Sequence, residues 1–243
     1  MFNLILQNLV PLITVFAIFI NSVGGLFGVS AVIPYNPDRT DVVLSGEITT
    51  DVNKVLDCYN SAVKKTGFVI GTNKINIVGT PEFTISGLDS STSVDIDAYW
   101  DALNGSSSYI FEVPGEGKIT SADVKSAKMC ESDGEKIIVI NIKDYKHGLT
   151  DGENNPITNS FGFVTDMKES FSAAGIELAD NCNAELSYTN ATITCVVDER
   201  GKIIYGDWDI EADFDASDFT FTMLGNTFTC EELSYTMGYS IDI

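Results

Sequence analysis

The sequence predicts an α+β fold: a curved antiparallel β-sheet of roughly six to eight strands with two or three amphipathic helices on one face, preceded by an apolar N-terminal helical segment. Three observations predict it. Apolar residues alternate with period 2 through the C-terminal third, stretches with helical period are few and short, and every charged side chain lies at or after Asp38. The organisation expected is an apolar anchor-like or signal-like segment over 1–34, a linker over 35–47 and one acidic α+β domain over 48–243.

Of the first 34 residues, 22 are apolar and none is charged. The bilayer is the natural solvent for such a stretch. As a secretory signal it offers an apolar run over 9–20 and a small-residue cleavage site at Val29-Ser30-Ala31, although no Lys or Arg precedes Arg39. As a retained anchor it is long enough, since about 20 residues cross the hydrocarbon. Pro11, Asn21 and Gly24-Gly25 interrupt a straight span, and the third reading is a helix packed on the domain or in a homo-oligomer. The acidic, Ser-, Thr- and Asn-rich body behind the segment reads as exported, in the cell envelope or outside it.

Tyr35-Asn36-Pro37-Asp38-Arg39 is a turn cluster. Val52, Val55, Leu56, Tyr59, Ala62 and Val63 then fall on one helical face, with Thr49 or Thr50 as cap and Gly67 as stop. Residues 68–88 switch to period 2, with Pro81 and Gly87 as turns. A short helix is expected over 94–103, and Ser106-Ser107-Ser108 and Pro114-Gly115-Glu116-Gly117 mark loops. Strand 124–131 turns through Ser132-Asp133-Gly134 into 136–143, whose run Ile137-Ile138-Val139-Ile140 is apolar on both sides and so belongs in the sheet interior. A loop over 144–156 leads to a helix near 159–174, with Val164, Met167, Phe171 and Ala174 on its face.

The C-terminal strands are the plainest. Asp198-Glu199-Arg200-Gly201 fits a type I turn ending in left-handed Gly, joining strands 189–197 and 202–215. The apolar set moves from odd positions (Ile203, Tyr205) to even ones (Trp208, Ile210, Ala212, Phe214), which a bulge at Gly206 would reconcile. In the last strand Tyr235, Met237, Tyr239, Ile241 and Ile243 alternate with Ser234, Thr236, Gly238, Ser240 and Asp242, giving one dry and one wet face.

Fourteen Lys and Arg against 35 Asp and Glu give a formal charge of −21. A groove tracking a phosphate backbone needs clustered cations, so the balance speaks against a nucleic-acid partner. A single histidine, His147, excludes multi-histidine metal sites. The five cysteines show no C-x-x-C spacing and read as free thiols, with a bond from Cys182 to Cys195 or Cys230 left open.

Asp207, Asp209, Glu211, Asp213 and Asp215 form the strongest local pattern. At period 2 these carboxylates share one strand face about 6.5–7 Å apart, and they are the candidate ligands for Ca²⁺; the alternative is a solvated face of an acidic protein. Asp151-Gly152-Glu153-Asn154-Asn155 is a second loop that could hold a cation, though it matches no EF-hand. His147 follows a strand, but no nucleophile turn accompanies it, so it reads as a surface-loop histidine rather than a general base. No catalytic or cofactor-binding residue is assigned.

The helix segment Val55-Leu56-Asp57-Cys58-Tyr59-Asn60-Ser61-Ala62-Val63, the approach Ile119-Thr120-Ser121-Ala122-Asp123-Val124-Lys125-Ser126-Ala127, the segment Ile142-Lys143-Asp144-Tyr145 and the pair Ala191-Thr192-Ile193-Thr194 and Gly201-Lys202-Ile203-Ile204 carry a resemblance. Together they resemble uncharacterised exported or surface proteins of anaerobic Gram-positive gut bacteria. The layout of helices on a curved sheet is similar to that of half-barrel envelope lipoproteins that shuttle lipids, but this chain lacks a lipidated cysteine near its start. The function expected is that of a non-enzymatic surface protein acting as a binding module on a protein or envelope partner. The alternative is a carrier of an apolar, lipid-like ligand between helices and sheet.

Overall fold

The computed structural model of the chain describes residues 29–30, 42–85, 108–115, 117–151, 154–162, 166–173, 176–223 and 226–243. In chain order its elements are β1 (Val29–Ser30), β2 (Ile48–Thr49), α1 (Val52–Thr66), β3 (Phe68–Ile85), β4 (Ser108–Glu112), β5 (Val124–Ser132), β6 (Glu135–Ile142) and β7 (Tyr145–His147), followed by α2 (Pro156–Phe161), α3 (Met167–Ala173), β8 (Ile176–Leu178), β9 (Asn183–Val197), β10 (Ile203–Met223) and β11 (Asn226–Asp242). The described strands form one antiparallel sheet in the order β1-β4-β3-β11-β10-β9-β6-β5-β2, with β7 also on β9 and β8 also on β10. Among the described residues it has eleven strands, more than the six to eight expected; seven are of five residues or more. The other four are two or three residues long, loop segments laid along sheet edges or strand ends.

Alternation fixes the faces. On β10, Trp208, Ile210, Ala212, Phe214 and Ala216 are buried, while the acidic residues between them look the other way. Ile193 on β9, Ile140 on β6 and Ile241 on β11 continue the Trp208 row across the sheet. The β5–β6 hairpin turns at Asp133 and Gly134, both at positive φ (53° and 82°) as a two-residue type I′ turn demands. At the next hairpin, Asp198 Oδ1 accepts from the backbone N–H of Arg200 and Lys202, and Gly201 sits at φ 77°.

Two bulges re-aim the long strands. At the first, Ile203 and Tyr205 on β10 oppose Val197 and Val196, so Ile204 is the extra residue and is pushed outward. The expected bulge at Gly206 is therefore two residues upstream. Gly206 is needed for another reason: a Cβ there would lie 2.3 Å from the Trp208 ring. At the second, two residues of β9, Asn190 and Ala191, oppose one of β10, Ile210, with Asn190 at φ 53°. The buried set on β9 changes there from Ala184, Leu186 and Tyr188 to Ala191, Ile193 and Cys195. Pro81, expected as a turn, lies inside β3, where the register against β11 slips between Val78 and Glu82; an irregularity is where a sheet tolerates proline.

Helix α1 buries Val55, Leu56, Tyr59, Ala62 and Val63. Its cap is Asp51, not Thr49 or Thr50: Asp51 Oδ1 accepts from Lys54 N at 3.2 Å, and Thr49 Oγ1 instead accepts from Asp51 N. Lys64 and Lys65 end the helix, where cations meet its negative pole. Tyr59 accepts from Trp208 Nε1 at 2.9 Å, and Thr66 Oγ1 donates to Ala62 O and accepts from Ile203 N, joining the helix to β10. The helix expected over 159–174 is two short ones, because Gly162 takes the left-handed conformation and caps α2. Met167 and Phe171 do pack inward, with Phe171, Phe214 and Phe221 around Phe219 at centroid distances of 5.9–6.1 Å. The helix expected over 94–103 lies outside the described residues, as do Val164 and Ala174.

The C-terminal part of the expected linker, from Val42, meets the sheet; residues 35–41 lie outside the described residues. Val42 and Leu44 pack on a second apolar cluster, Cys130, Ile137 and Val196, beside Tyr205. The chain then pairs through β2 with Met129 and Cys130 on β5 before entering α1. From Val42 onward the linker is thus a docked strap. Val29 and Ser30, within the apolar N-terminal segment, pair with Ile110 and Tyr109 on β4. The remainder of that segment lies outside the described residues, and among the described residues no helix is long and apolar enough to cross a membrane.

Candidate functional site

The acidic stripe lies where strand periodicity puts it, on the face of β10 opposite Trp208. Asp207, Asp209, Glu211, Asp213 and Asp215 stand across from Thr194, Thr192, Thr189, Ser187 and Glu185 of β9, and from Asp242, Ser240, Gly238, Thr236 and Ser234 of β11. The result is a face of short hydroxyls and carboxylates. Several carboxylates already have donors: Tyr205 Oη donates to Asp207, Asn190 Nδ2 to Glu211 at 2.6 Å, and Thr236 Oγ1 to Asp213 at 2.6 Å. Burial pushes the Asp207 carboxyl up; the Tyr205 bond lowers it, and the Asp242 and Asp209 charges raise it further. Among the described residues no three His, Cys, Asp or Glu side chains converge to hold a metal ion. A straight strand spreads its carboxylates apart, and a divalent cation needs them to converge.

His147 is not the surface-loop residue expected. It sits on β7, which pairs with β9 through His147 and Leu186, and its side chain is only 4% exposed. Tyr188 stacks on it, ring centroids 5.8 Å apart and planes at 23°, and Tyr145 flanks it at 5.6 Å. Asp151 closes the group. Its Oδ1 accepts from Tyr145 Oη at 2.6 Å, its Oδ2 accepts from Asn155 Nδ2 at 2.9 Å, and Oδ2 lies 4.0 Å from His147 Nε2. Burial and the bond to Asp151 push the Tyr145 phenol up to about 12.

Of the loop expected as a cation holder, Gly152 and Glu153 lie outside the described residues, and the described Asp151 and Asn155 have other partners. Asn155 caps α2 by accepting from Ile157 N and Thr158 N, so neither Asp151 nor Asn155 presents itself as a ligand. Further along, Asn159 Nδ2 reaches Asp123, whose Oδ2 also accepts from the N–H and hydroxyl of Thr120 at 2.8 Å. Asp123, Asn155, Asn159 and Ser160 are the buried polar residues of the described core, and all belong to this end of the sheet. Sequence reading missed the network, although Asn155-Pro156, a cap residue before a first-turn proline, was the available signal.

A groove of about 1090 Å³ runs between α1 and the β2–β5 edge, lined among others by Asp57, Cys58, Lys65, Glu131 and Lys136. Burial pushes the Cys58 thiol up, offset in part by the Lys136 and Lys65 charges. Cys58, Cys130, Cys182 and Cys195 are free thiols, so Cys182 is not bonded to Cys195. Cys182 instead exchanges hydrogen bonds with the Thr220 backbone.

Comparison with protein-family models, curated proteins and solved structures finds no match to this chain.

Proposed function

We propose that the chain is a non-enzymatic envelope protein, exported or held at the membrane by its apolar N-terminal segment, whose acidic sheet domain acts as an interaction module. The observation that carries this reading is the segregation of charge. Residues 1–37 hold none, and the body behind them holds all 14 cations and 35 anions. The sheet continues the same separation across its two faces, apolar toward α1, α2 and α3 and hydroxyl- and carboxylate-rich on the other. We read the helices as gathered on one side of a curved sheet, which leaves the polar side of β9, β10 and β11 for a partner.

The carrier reading needs room between helices and sheet. Among the described residues that space is filled: Tyr59 and Trp208 are hydrogen-bonded at 0% exposure, and the phenylalanines that would line a ligand site pack on one another. This packing favours the interaction module.

Fractionation of cells making the untagged chain, with protease added to intact cells, tests the proposal. Recovery in the membrane or culture fluid with cleavage from outside is expected. A free monomer in the cytosol, protected until lysis, would overturn it.

A further inference from the structure

The cluster around His147 has an unbalanced set of hydrogen-bonding groups. His147 Nδ1 lies 2.6 Å from Gly148 O, and a carbonyl only accepts, so Nδ1 carries the proton. Nε2 is left as a lone pair facing Asp151 Oδ2, a second acceptor, 4.0 Å away. Neither side chain is more than 8% exposed. Tyr188, whose ring stacks on that of His147, carries a fully buried hydroxyl, and neither it nor His147 Nε2 has a hydrogen-bond partner among the described residues. Burial, then the Asp151 charge, pushes the Tyr188 phenol up, as a carboxylate close to that hydroxyl would.

We propose that one buried water molecule is bound here, donating its two protons to His147 Nε2 and Asp151 Oδ2 and accepting from the Tyr188 hydroxyl. The distances select it. A direct N–H···O bond closes at 3.2 Å or less, so at 4.0 Å the imidazole and the carboxylate are not hydrogen-bonded to each other directly. Zinc bound tetrahedrally at about 2.0–2.2 Å brings its ligands to roughly 3.5 Å of each other, closer than these two. A water about 2.8 Å from each subtends roughly 90° between them, within the range such bonds adopt. Three bonds are the usual complement of an internal water. The water fastens the loop after β7 to β9, and both of its acceptors and its donor are satisfied at once.

Tyr188→Phe tests the assignment, because the two possible states of this hydroxyl respond in opposite directions. Deleting an orphaned buried hydroxyl is neutral or stabilising, whereas deleting one bonded to water removes a partner from the network. We expect the folded-to-unfolded ratio in urea to fall about three- to tenfold. In the intact chain the one histidine gives one imidazole spin system, and we expect a long-lived water cross-peak to its ring protons that disappears in the variant. A variant as stable as wild type, or no water contact at His147 in the wild type, overturns the proposal. Stability that falls on adding a chelator also overturns it, in favour of a metal ion.

Discussion

Tyr59 and Trp208 lie 149 positions apart in sequence, yet in the core the Trp208 indole N–H is satisfied by the Tyr59 hydroxyl. Removing the phenol leaves an indole N–H buried without an acceptor, a loss of about 1–3 kcal/mol. Tyr59→Phe should therefore lower stability by that amount in urea denaturation without moving the far-UV spectrum. That both residues are core was legible, because each sits on an apolar stripe. That they meet was not, since periodicity ranks burial and says nothing of pairing between distant segments. Asp207 shows the opposite case at the surface of the sheet. Its carboxyl is held above the ordinary aspartate range, chiefly by burial and also by Asp242 and Asp209. The native state then binds a proton more readily than the unfolded chain, so stability falls as pH rises through that raised value. Asp207→Asn should raise Tm at neutral pH, with the gain shrinking as pH is lowered toward 4; a thermal melt series from pH 4 to 8 reads it.

At the scale of the element, alternation in the C-terminal strands could be read correctly, and their faces follow from it. What the pattern could not locate was the bulge. A shift from odd to even apolar positions proves that a residue is inserted, and a nearby glycine is the obvious place. In the structure Ile204 is the inserted residue, and Gly206 makes room for the Trp208 ring. Around Asn190 the apolar set likewise moves, from Ala184, Leu186 and Tyr188 to Ala191, Ile193 and Cys195, a phase shift the sequence carries but that is lost when the strand is read as starting at 189. At φ 53° Asn190 occupies a backbone region that asparagine and glycine accept and β-branched residues do not. Asn190→Val should cost about 1–2 kcal/mol, and Asn190→Gly markedly less; paired denaturation curves distinguish backbone strain from loss of the bond to Glu211. Helix 159–174 was misread for a related reason: Met167 and Phe171 keep a helical spacing, and Gly162 was the break in plain view. The candidate site followed the same rule. The acidic stripe was legible as a line, being local, whereas the burial of His147 depends on β7 pairing with β9 about forty residues on.

For the molecule as a whole, the strap over 42–49 decides how the N-terminal segment joins the domain. It crosses from the Cys130, Ile137 and Val196 cluster around the β5 edge to the start of α1, held by Val42, Leu44 and two strand residues. Cys130, 2% exposed, reports on it. Leu44→Asp should free the strap and speed alkylation of Cys130 roughly tenfold, the effect of about 1.4 kcal/mol on a local opening. Peptide mapping by mass spectrometry separates Cys130 from the partly exposed Cys58 and Cys182.

The sheet order has a consequence for how the chain comes to be folded. Strand β11, the most C-terminal, lies in the interior of the sheet between β3 and β10. Until it is in place, β1, β4 and β3 have no strand pairing with the rest of the sheet, and two half-sheets wait with open edges facing one another. Pairing β3 with residues some 150 positions later makes closure of the sheet the slow step. Until that pairing closes, the two open edges are where a second chain could add in register, so misassembly is the hazard this sheet order carries.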